Sequence, residues 1–232
     1  MAFCAVAANP TQRIKADRVQ PEQADLSEPM DYLYSLPPSP APNDNPGAIQ
    51  GSAPVGYKAV VANVWAWQSK PGNYNFGNGV ARRARIVETN LRNKTMGSDL
   101  VSGELEAEVI AEITVGEGMM NDFGFMSGPC AIYLLEFVTL SSCICLGLAT
   151  GIRPEGVSTN MEVQWHGPAP QGTVLRLVGT TIAFNKRSST CRGEIYDKGT
   201  GKLLVSFKHI VAALRIDSKV VQSYVNQQKS RL

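Results

Sequence analysis

The stretch GMMNDFGFMSGPCAIYLLEFVTLSSCICLGLAT, residues 118–150, decides the fold. Residues 130–148 form an apolar run of the length of a helix rather than of a strand. Glu136 and the Ser141–Ser142 pair interrupt the run, so we do not expect it to cross a membrane. A helix that is apolar nearly all round needs cover on more than one side. We therefore expect either a sheet that wraps around this helix or a second subunit that helps to cover it.

The residues that precede this run are typical of a helix N-terminus. Ser127 is a good N-cap, and Pro129 falls in the first turn, where a missing N–H costs nothing. Gly128 lies between them and leaves its own N–H open to close approach. The first N–H groups of a helix can hold an anion, or a carbonyl oxygen that becomes an oxyanion. A helix that is merely well capped is the alternative that the local sequence leaves open.

Glu136 lies between Leu135 and Phe137, and a carboxylate in such apolar surroundings requires an explanation. It either faces water, pairs with a base such as Arg153, or acts as a general base or nucleophile. Gly128 and Glu136 are eight residues apart, about 12 Å along a helix and about 80° around it. One helix does not bring both to the same reacting carbon, but two antiparallel helices across a twofold axis do. The spacing therefore predicts a site shared between two copies of the chain.

The pattern around the helix predicts an antiparallel sheet. Alternation of apolar and polar residues predicts strands at 80–91, 104–115, 156–167, 172–187, 189–197 and 202–214, and helical spacing predicts a short helix at 57–67. One long helix with these strands predicts an α+β fold. Residues 1–55, rich in Pro, Ala and Ser, are predicted to be a disordered or loosely attached arm, with MDYLYSL (30–36) as a patch that docks. Residues 56–216 are the predicted domain, and 217–232 a polar, weakly helical tail.

Composition sets bounds on the function. The chain has 232 residues, 44% of them hydrophobic, enough for a sizeable core. A net charge of +2 implies no general attraction to nucleic acid or to a membrane surface, so any anion site must be local. Five cysteines without a CxxC pair, and only two histidines, favour reduced thiols without a metal site. The N-terminus has no complete secretory signal and only a faint resemblance to a mitochondrial presequence, so we expect an intracellular protein, with the cytoplasm preferred over mitochondria.

Three segments together resemble the hotdog-fold acyl-CoA thioesterases, in the subgroup that contains phenylacetate-pathway enzymes and animal thioesterase-superfamily proteins. The family motif N-x-x-G-x-x-H-G-G leads into a long helix that carries an acidic residue. Here NDFGFMSGP (121–129) precedes Glu136, GVSTNMEVQWHGPAPQG (156–172) matches the next strand and turn, and GTGKLLVSFKH (199–209) matches a late hairpin. The resemblance spans residues 80–214, which is the domain without the arm.

The resemblance implies a hotdog fold, an antiparallel sheet wrapped around one long central helix. It also implies hydrolysis of a fatty or aryl acyl-CoA to the free acid and coenzyme A, in a homodimer or tetramer with shared sites. Gly128 N–H would polarise the thioester carbonyl, and Glu136 would activate water or attack directly. Asn121 would help to orient the site or the water, and Ser158 would position the water. No cofactor is expected beyond the coenzyme A of the substrate.

The chain departs from the family motif at the helix start. Ser127 stands in place of the family histidine, and Pro129 in place of the second glycine. Two alternatives therefore stay open: an acyl-CoA-binding dimer without catalysis, and a hotdog hydratase or dehydratase. The second alternative generally needs a histidine paired with an acid. His166 and His209 lie on neither the helix nor its entry loop, so both are interpreted as structural.

The phosphates of coenzyme A need local positive charge. The segment NKRSS (185–189) supplies Lys186 and Arg187 where a strand ends, and Arg153 and Lys208 are expected behind them. Arginine suits bidentate phosphate contacts, and lysine acts as a point charge. Ordinary solvated charges at a strand end are the alternative that the sequence leaves open.

Overall fold

A computed structural model describes residues 30–70, 76–94 and 105–214 of the protein. The helices are α1 (Asp31–Tyr34), α2 (Val55–Gln68), α3 (Asn78–Ala81) and α4 (Gly128–Thr150), with a 3-10 turn at Pro46–Ala48. The strands are β1 (Arg85–Asn93), β2 (Leu105–Thr114), β3 (Gly156–Trp165), β4 (Val174–Phe184), β5 (Ser188–Asp197) and β6 (Leu203–Ala213).

The six strands form one antiparallel sheet in the order β1-β2-β4-β5-β6-β3. Helix α4 packs mainly on β4, β2 and β5, at the middle of the sheet. By length and composition this helix could cross a membrane, but 78% of its most apolar 18-residue stretch is buried inside the fold. It is therefore the core helix of the domain, and the predicted α+β arrangement of a sheet around one long helix is confirmed.

Glycines in the sheet let α4 come close to it. A Cβ atom on Gly179 would lie 2.3 Å from the carbonyl oxygen of Val138, which no side chain tolerates. A Cβ atom on Gly193 would lie 3.0 Å from the side chain of Leu135. Glycine in a strand interior often marks such a close approach of another backbone. The two positions thus fix how deeply the helix sits against β4 and β5.

The face of α4 that points away from the sheet is covered by α2 of the same chain. Trp65 of α2 is fully buried, and its ring centroid lies 5.1 Å from that of Phe137. Its indole N–H donates to the carbonyl of Ala81 at 2.9 Å, which satisfies the polar atom of this large side chain. Part of the cover that the apolar helix needs therefore comes from its own chain.

Residues 30–54, which lie within the predicted arm, pack against the domain. Leu33 and Leu36 are buried in the main hydrophobic core. The backbone of Gln50 pairs with β1 in a parallel bridge, and the Lys58 ammonium of α2 donates to two carbonyls of residues 49–51 at 2.8 Å. This part of the arm therefore belongs to the packed structure. Residues 1–29 and the predicted tail lie outside the described residues, and the division into domains stays a prediction.

The two edges of the sheet differ. Residues 50–53 hydrogen-bond along β1 and cover that edge. Within the described ranges no strand pairs with the outer edge of β3, which exposes Val157 and Trp165. An unpaired edge strand is a ready template for another strand. This open edge is where the candidate site lies.

Candidate active site

Glu136 and Ser158 meet at the open edge of the sheet. Glu136 is half-buried on α4, and its Oε1 lies 3.4 Å from Ser158 Oγ on β3. The same hydroxyl lies 2.8 Å from Nε2 of His209, on the neighbouring strand β6. The structure thus brings together two of the four predicted catalytic residues and adds a histidine. Glu136 makes this contact with Ser158, while Arg153 is bound to a different carboxylate, that of Glu155.

The hydrogen bonds around His209 define which ring nitrogen carries the proton. Nδ1 lies 2.9 Å from Thr139 Oγ1, and the Thr139 hydroxyl gives its only proton to carbonyls of its own helix, chiefly that of Leu135 at 2.8 Å. Nδ1 is therefore the donor to Thr139. Burial lowers the pKa of His209 to about 4, so the ring is neutral near pH 7 and Nε2 is an acceptor. Ser158 consequently donates its proton to Nε2.

This assignment determines what Ser158 offers to Glu136. Burial raises the pKa of Glu136, and a hydrogen bond from Ser158 to the carboxylate would act in the opposite direction. Ser158 has one proton, however, and Nε2 of His209 is the nearer acceptor. Lone pairs of the Ser158 oxygen therefore face the carboxyl group. A half-buried carboxyl with a raised pKa is closer to the range of a general base that works near neutral pH.

His209 is the site residue that sequence reasoning missed. Its interpretation as structural is half right, because the ring is fully buried and cannot touch a substrate. The ring nevertheless holds Ser158, a residue 51 positions away in the chain. One signal was present in the sequence: Val205, Phe207 and His209 alternate along the last predicted strand and share its inner face.

The N-terminus of α4 has the predicted cap. The Ser127 hydroxyl accepts a hydrogen bond from the backbone N–H of Cys130 at 3.3 Å. In the described part of the chain the N–H of Gly128 has no acceptor, as expected for a first helical residue. The indole of Trp165 lies against Gly128, so that a Cβ there would be 3.4 Å from the ring. Gly128 therefore offers a backbone donor beside an exposed aromatic side chain.

Asn121 lies in the loop before α4 and braces it. Its Oδ1 accepts hydrogen bonds from the backbone N–H groups of Phe123 and Phe125 at 3.0 and 3.2 Å. Its amide nitrogen has no partner among the described residues, so it is available as a donor. The same loop exposes three large apolar side chains, with Phe123 83% exposed. Exposed apolar residues concentrated on one loop indicate a surface that contacts a ligand or another subunit.

The four predicted phosphate contacts differ in accessibility. Lys186 and Arg187 are exposed in the turn between β4 and β5, which Asn185 braces through its side-chain oxygen. Lys208 is exposed on the outer face of β6, 3.8 Å from Glu162. Arg153 is only 9% exposed and bound to a carboxylate at 3.3 Å. Lys186 and Arg187 are therefore the members of this set that a phosphate reaches most easily.

The sequence also raised the questions of a metal site and of the state of the cysteines. Across residues 30–70, 76–94 and 105–214, no group of His, Cys, Asp and Glu side chains is arranged to hold a metal ion. The four cysteines within the described ranges are free and buried. The thiols of Cys143 and Cys191 lie 3.2 Å apart between α4 and β5.

Comparison with known proteins gives structural matches only. No protein-family model matches the chain, and no curated protein matches its sequence. Among solved structures, zebrafish thioesterase superfamily member 2 matches with a TM-score of 0.51 and 14% identity, over 66% of this chain and 95% of that one. Mouse thioesterase superfamily member 2 (0.41, 19%, 53% and 80%) and the PaaI protein of the E. coli phenylacetic acid degradation operon (0.41, 15%, 53% and 82%) also match.

At these identities the likeness concerns the fold alone. The match covers 95% of the zebrafish structure. The fold observed here, one long helix packed in a six-stranded antiparallel sheet, agrees with the predicted resemblance. The chain has the hotdog fold of thioesterase superfamily structures.

Proposed function

We propose that the protein is an acyl-CoA thioesterase that hydrolyses a fatty or aryl acyl-CoA at a site shared by two copies of the chain. The observation that carries this proposal is the contact between Glu136 and Ser158 at the open edge of the sheet. A half-buried carboxyl beside an oriented hydroxyl suits the activation of water. The hotdog fold adds support by analogy, because a fold does not by itself imply a function.

The open edge explains how two chains would share the site. Gly128 and Glu136 lie about 12 Å apart along α4, since a helix rises about 1.5 Å per residue. If two β3 edges pair antiparallel, the two α4 helices also run antiparallel, and Glu136 of one protomer faces the partner's Gly128. The same pairing covers Val157 and Trp165, which are exposed in the single chain. A homodimer is therefore part of the proposal, and a tetramer built from such dimers is compatible with it.

The chemistry follows from the direction of each hydrogen bond. The N–H of the partner's Gly128 and the amide of the partner's Asn121 donate to the thioester oxygen and stabilise the oxyanion that forms there. Glu136 takes one proton from a water molecule, whose oxygen attacks the carbonyl carbon. The water can donate its other hydrogen to the lone pair of Ser158, because the Ser158 proton is bound to His209. The carbon–sulfur bond then breaks, and the thiolate of coenzyme A takes up the proton from Glu136.

The hydratase alternative has little support in this geometry. Such a reaction needs a histidine in contact with the substrate, whereas His209 is fully buried and both its nitrogens are occupied. His166 is exposed, but it lies at the end of β3 and is bonded to Ser206. An acyl-CoA-binding dimer without turnover is the alternative that experiment must separate from the enzyme.

The test is thiol release from a panel of acyl-CoAs by the parent protein and two variants. Glu136→Gln removes the base and should lower kcat by about 10²–10⁴-fold, the usual contribution of general acid–base catalysis. Glu162→Gln is the matched control, since it changes an exposed carboxylate on β3 and should keep activity within about twofold. Light scattering checks that both variants remain dimers. Turnover by Glu136→Gln at the parent rate would refute the mechanism, and tight binding by the parent without turnover would favour the binding protein.

The proposed phosphate contacts have their own test. Replacing Lys186 and Arg187 with alanine should raise KM for acyl-CoA about tenfold or more, because charge-assisted contacts to phosphate are lost. KM for the corresponding S-acyl pantetheine, which lacks the nucleotide phosphates, should not change. An equal rise for both substrates would remove these residues from the phosphate site. The intracellular location, and the expectation that no cofactor is needed, stay predictions.

A further inference from the structure

A cavity of about 260 Å³ lies between α1, α2, α4 and the start of β3. Its walls are mostly apolar, and α1 forms one of them, so the segment predicted to be a loose arm helps to build it. Its apolar side chains include Leu33, Leu36, Val64, Trp67, Leu140 and Ile144. Ligand pockets in proteins usually measure about 300–1,000 Å³, so this one suits a small apolar group.

The cavity lies beside two elements that also carry the candidate active site. Leu140 and Ile144 follow Glu136 on α4 by one and two turns, about 6 and 12 Å along the helix. Gly156 lies two residues before Ser158 on β3, about 7 Å along the strand. Both residues of the catalytic contact therefore stand on elements that run into the cavity.

Two residues that line the cavity each have a buried polar atom without a partner among the described residues. The hydroxyl of Tyr32 and the Oε1 of Glu155 are buried, and neither makes a hydrogen bond within the described residues. The second oxygen of Glu155 is bound by Arg153 at 3.3 Å, which holds the carboxyl in place. A buried polar group without a partner is costly, and each such case asks for an explanation. Burial also raises the pKa of Glu155, as expected in apolar surroundings.

We infer that this cavity receives the acyl group of the proposed thioester and that Tyr32 and Glu155 bind a hydroxyl group at its far end. The inference rests on the proposed function. A hydroxyl group is both a donor and an acceptor: it accepts from the Tyr32 O–H and donates to Oε1 of Glu155. The small volume and the distance from Glu136 together favour a short or medium acyl chain with a terminal hydroxyl over a long, plain fatty chain.

The test measures binding, so it does not depend on turnover. Butanoyl-, hexanoyl-, octanoyl- and decanoyl-CoA, each with and without a terminal hydroxyl, are titrated calorimetrically into the Glu136→Gln protein. At one chain length the hydroxylated ligand should bind about tenfold more tightly, the effect of one or two net hydrogen bonds. Tyr32→Phe should reduce this preference to within about twofold. Tyr34→Phe is the matched control, because it removes an exposed hydroxyl from the same helix and should leave the preference intact.

Folding is checked separately, because removal of an unpartnered hydroxyl should not lower the Tm of the unliganded Tyr32→Phe protein. Equal binding of the plain and hydroxylated ligands at every length, or a preference that survives Tyr32→Phe, would overturn the inference and leave bound water as the partner of the two atoms. Turnover without a hydroxyl preference refutes the inference alone. A hydroxyl preference without turnover in the parent refutes the proposed thioesterase activity alone. Absence of any acyl-CoA binding refutes both the proposed activity and the hydroxyl-binding cavity.

Discussion

The buried His209 should make the fold sensitive to acid. The ring has an ordinary pKa of 6.5, and burial lowers it to about 4 in the folded protein. Above pH 6.5 the ring is neutral in both states, so it has no effect on stability. Between pH 6.5 and about 4 the unfolded chain binds a proton that the folded chain does not, so stability falls as pH falls. One pH unit corresponds to about 1.36 kcal/mol when one proton is bound, so the free energy of unfolding falls by about 2 kcal/mol between pH 7 and 5, and by about 3 kcal/mol in total.

His209→Gln removes this proton-binding site while keeping polar atoms for Thr139 and Ser158. We expect the free energy of unfolding of the parent, relative to this variant, to fall by about 2 kcal/mol between pH 7 and 5. The measurement is urea unfolding at equal protein concentration at pH 7, 6 and 5. Carboxyl groups titrate in both proteins, so their contribution cancels in the difference.

The other histidine provides the control for this experiment. His166→Gln changes an exposed ring that is bonded to Ser206, and this variant should follow the pH dependence of the parent. Parallel stability curves for the parent and His209→Gln would refute the reasoning. A titration of the His209 ring in the folded protein with a midpoint near 6.5, followed by NMR, would refute it equally.

Three further predictions concern the helix and its carboxyl group. Ser127→Ala removes the hydroxyl that caps α4 and should lower the free energy of unfolding by about 1 kcal/mol, measured by urea denaturation. Gly179→Ala places a Cβ 2.3 Å from a carbonyl oxygen of Val138 and should cost about 3 kcal/mol, visible as a lower Tm, and an unchanged Tm would contradict the packing described. Because burial raises the pKa of Glu136 above 4.5, kcat/KM should fall with decreasing pH at a higher pH than for an ordinary carboxyl, and a profile with an acid limb below 4.5 would contradict this.

Local sequence was sufficient for the central helix. Ser127 and Pro129 mark its start, the apolar run defines its length, and the helix observed, Gly128–Thr150, extends only slightly beyond the predicted 130–148. Strand alternation found the sheet in the same way, although the first strand begins later than predicted, since residues 78–81 form the short helix α3. These features depend on neighbouring residues, which is why pattern reasoning reaches them.

The cover of the helix was not predictable from local pattern. The sequence indicates that α4 needs cover on several sides, but α2 and residues 30–54 supply part of it through contacts between distant segments. The composition of residues 30–54, rich in proline and small polar residues, predicts a loose arm. A few anchors, among them Leu33 and Leu36, are enough to hold this segment, and their partners are visible only in the folded chain.

The sequence by itself determined that a carboxylate, Glu136, stands inside an apolar helix with a serine on the strand that follows. Only the tertiary structure decided that Ser158 faces it. Met161 points to the core, so strict alternation along β3 would turn Ser158 to the opposite face. A bulge between Ser158 and Asn160 shifts the register and turns the hydroxyl inward, onto His209. Strand register is set by pairing with β6, a segment far along the chain, and a change of one residue exchanges the two faces.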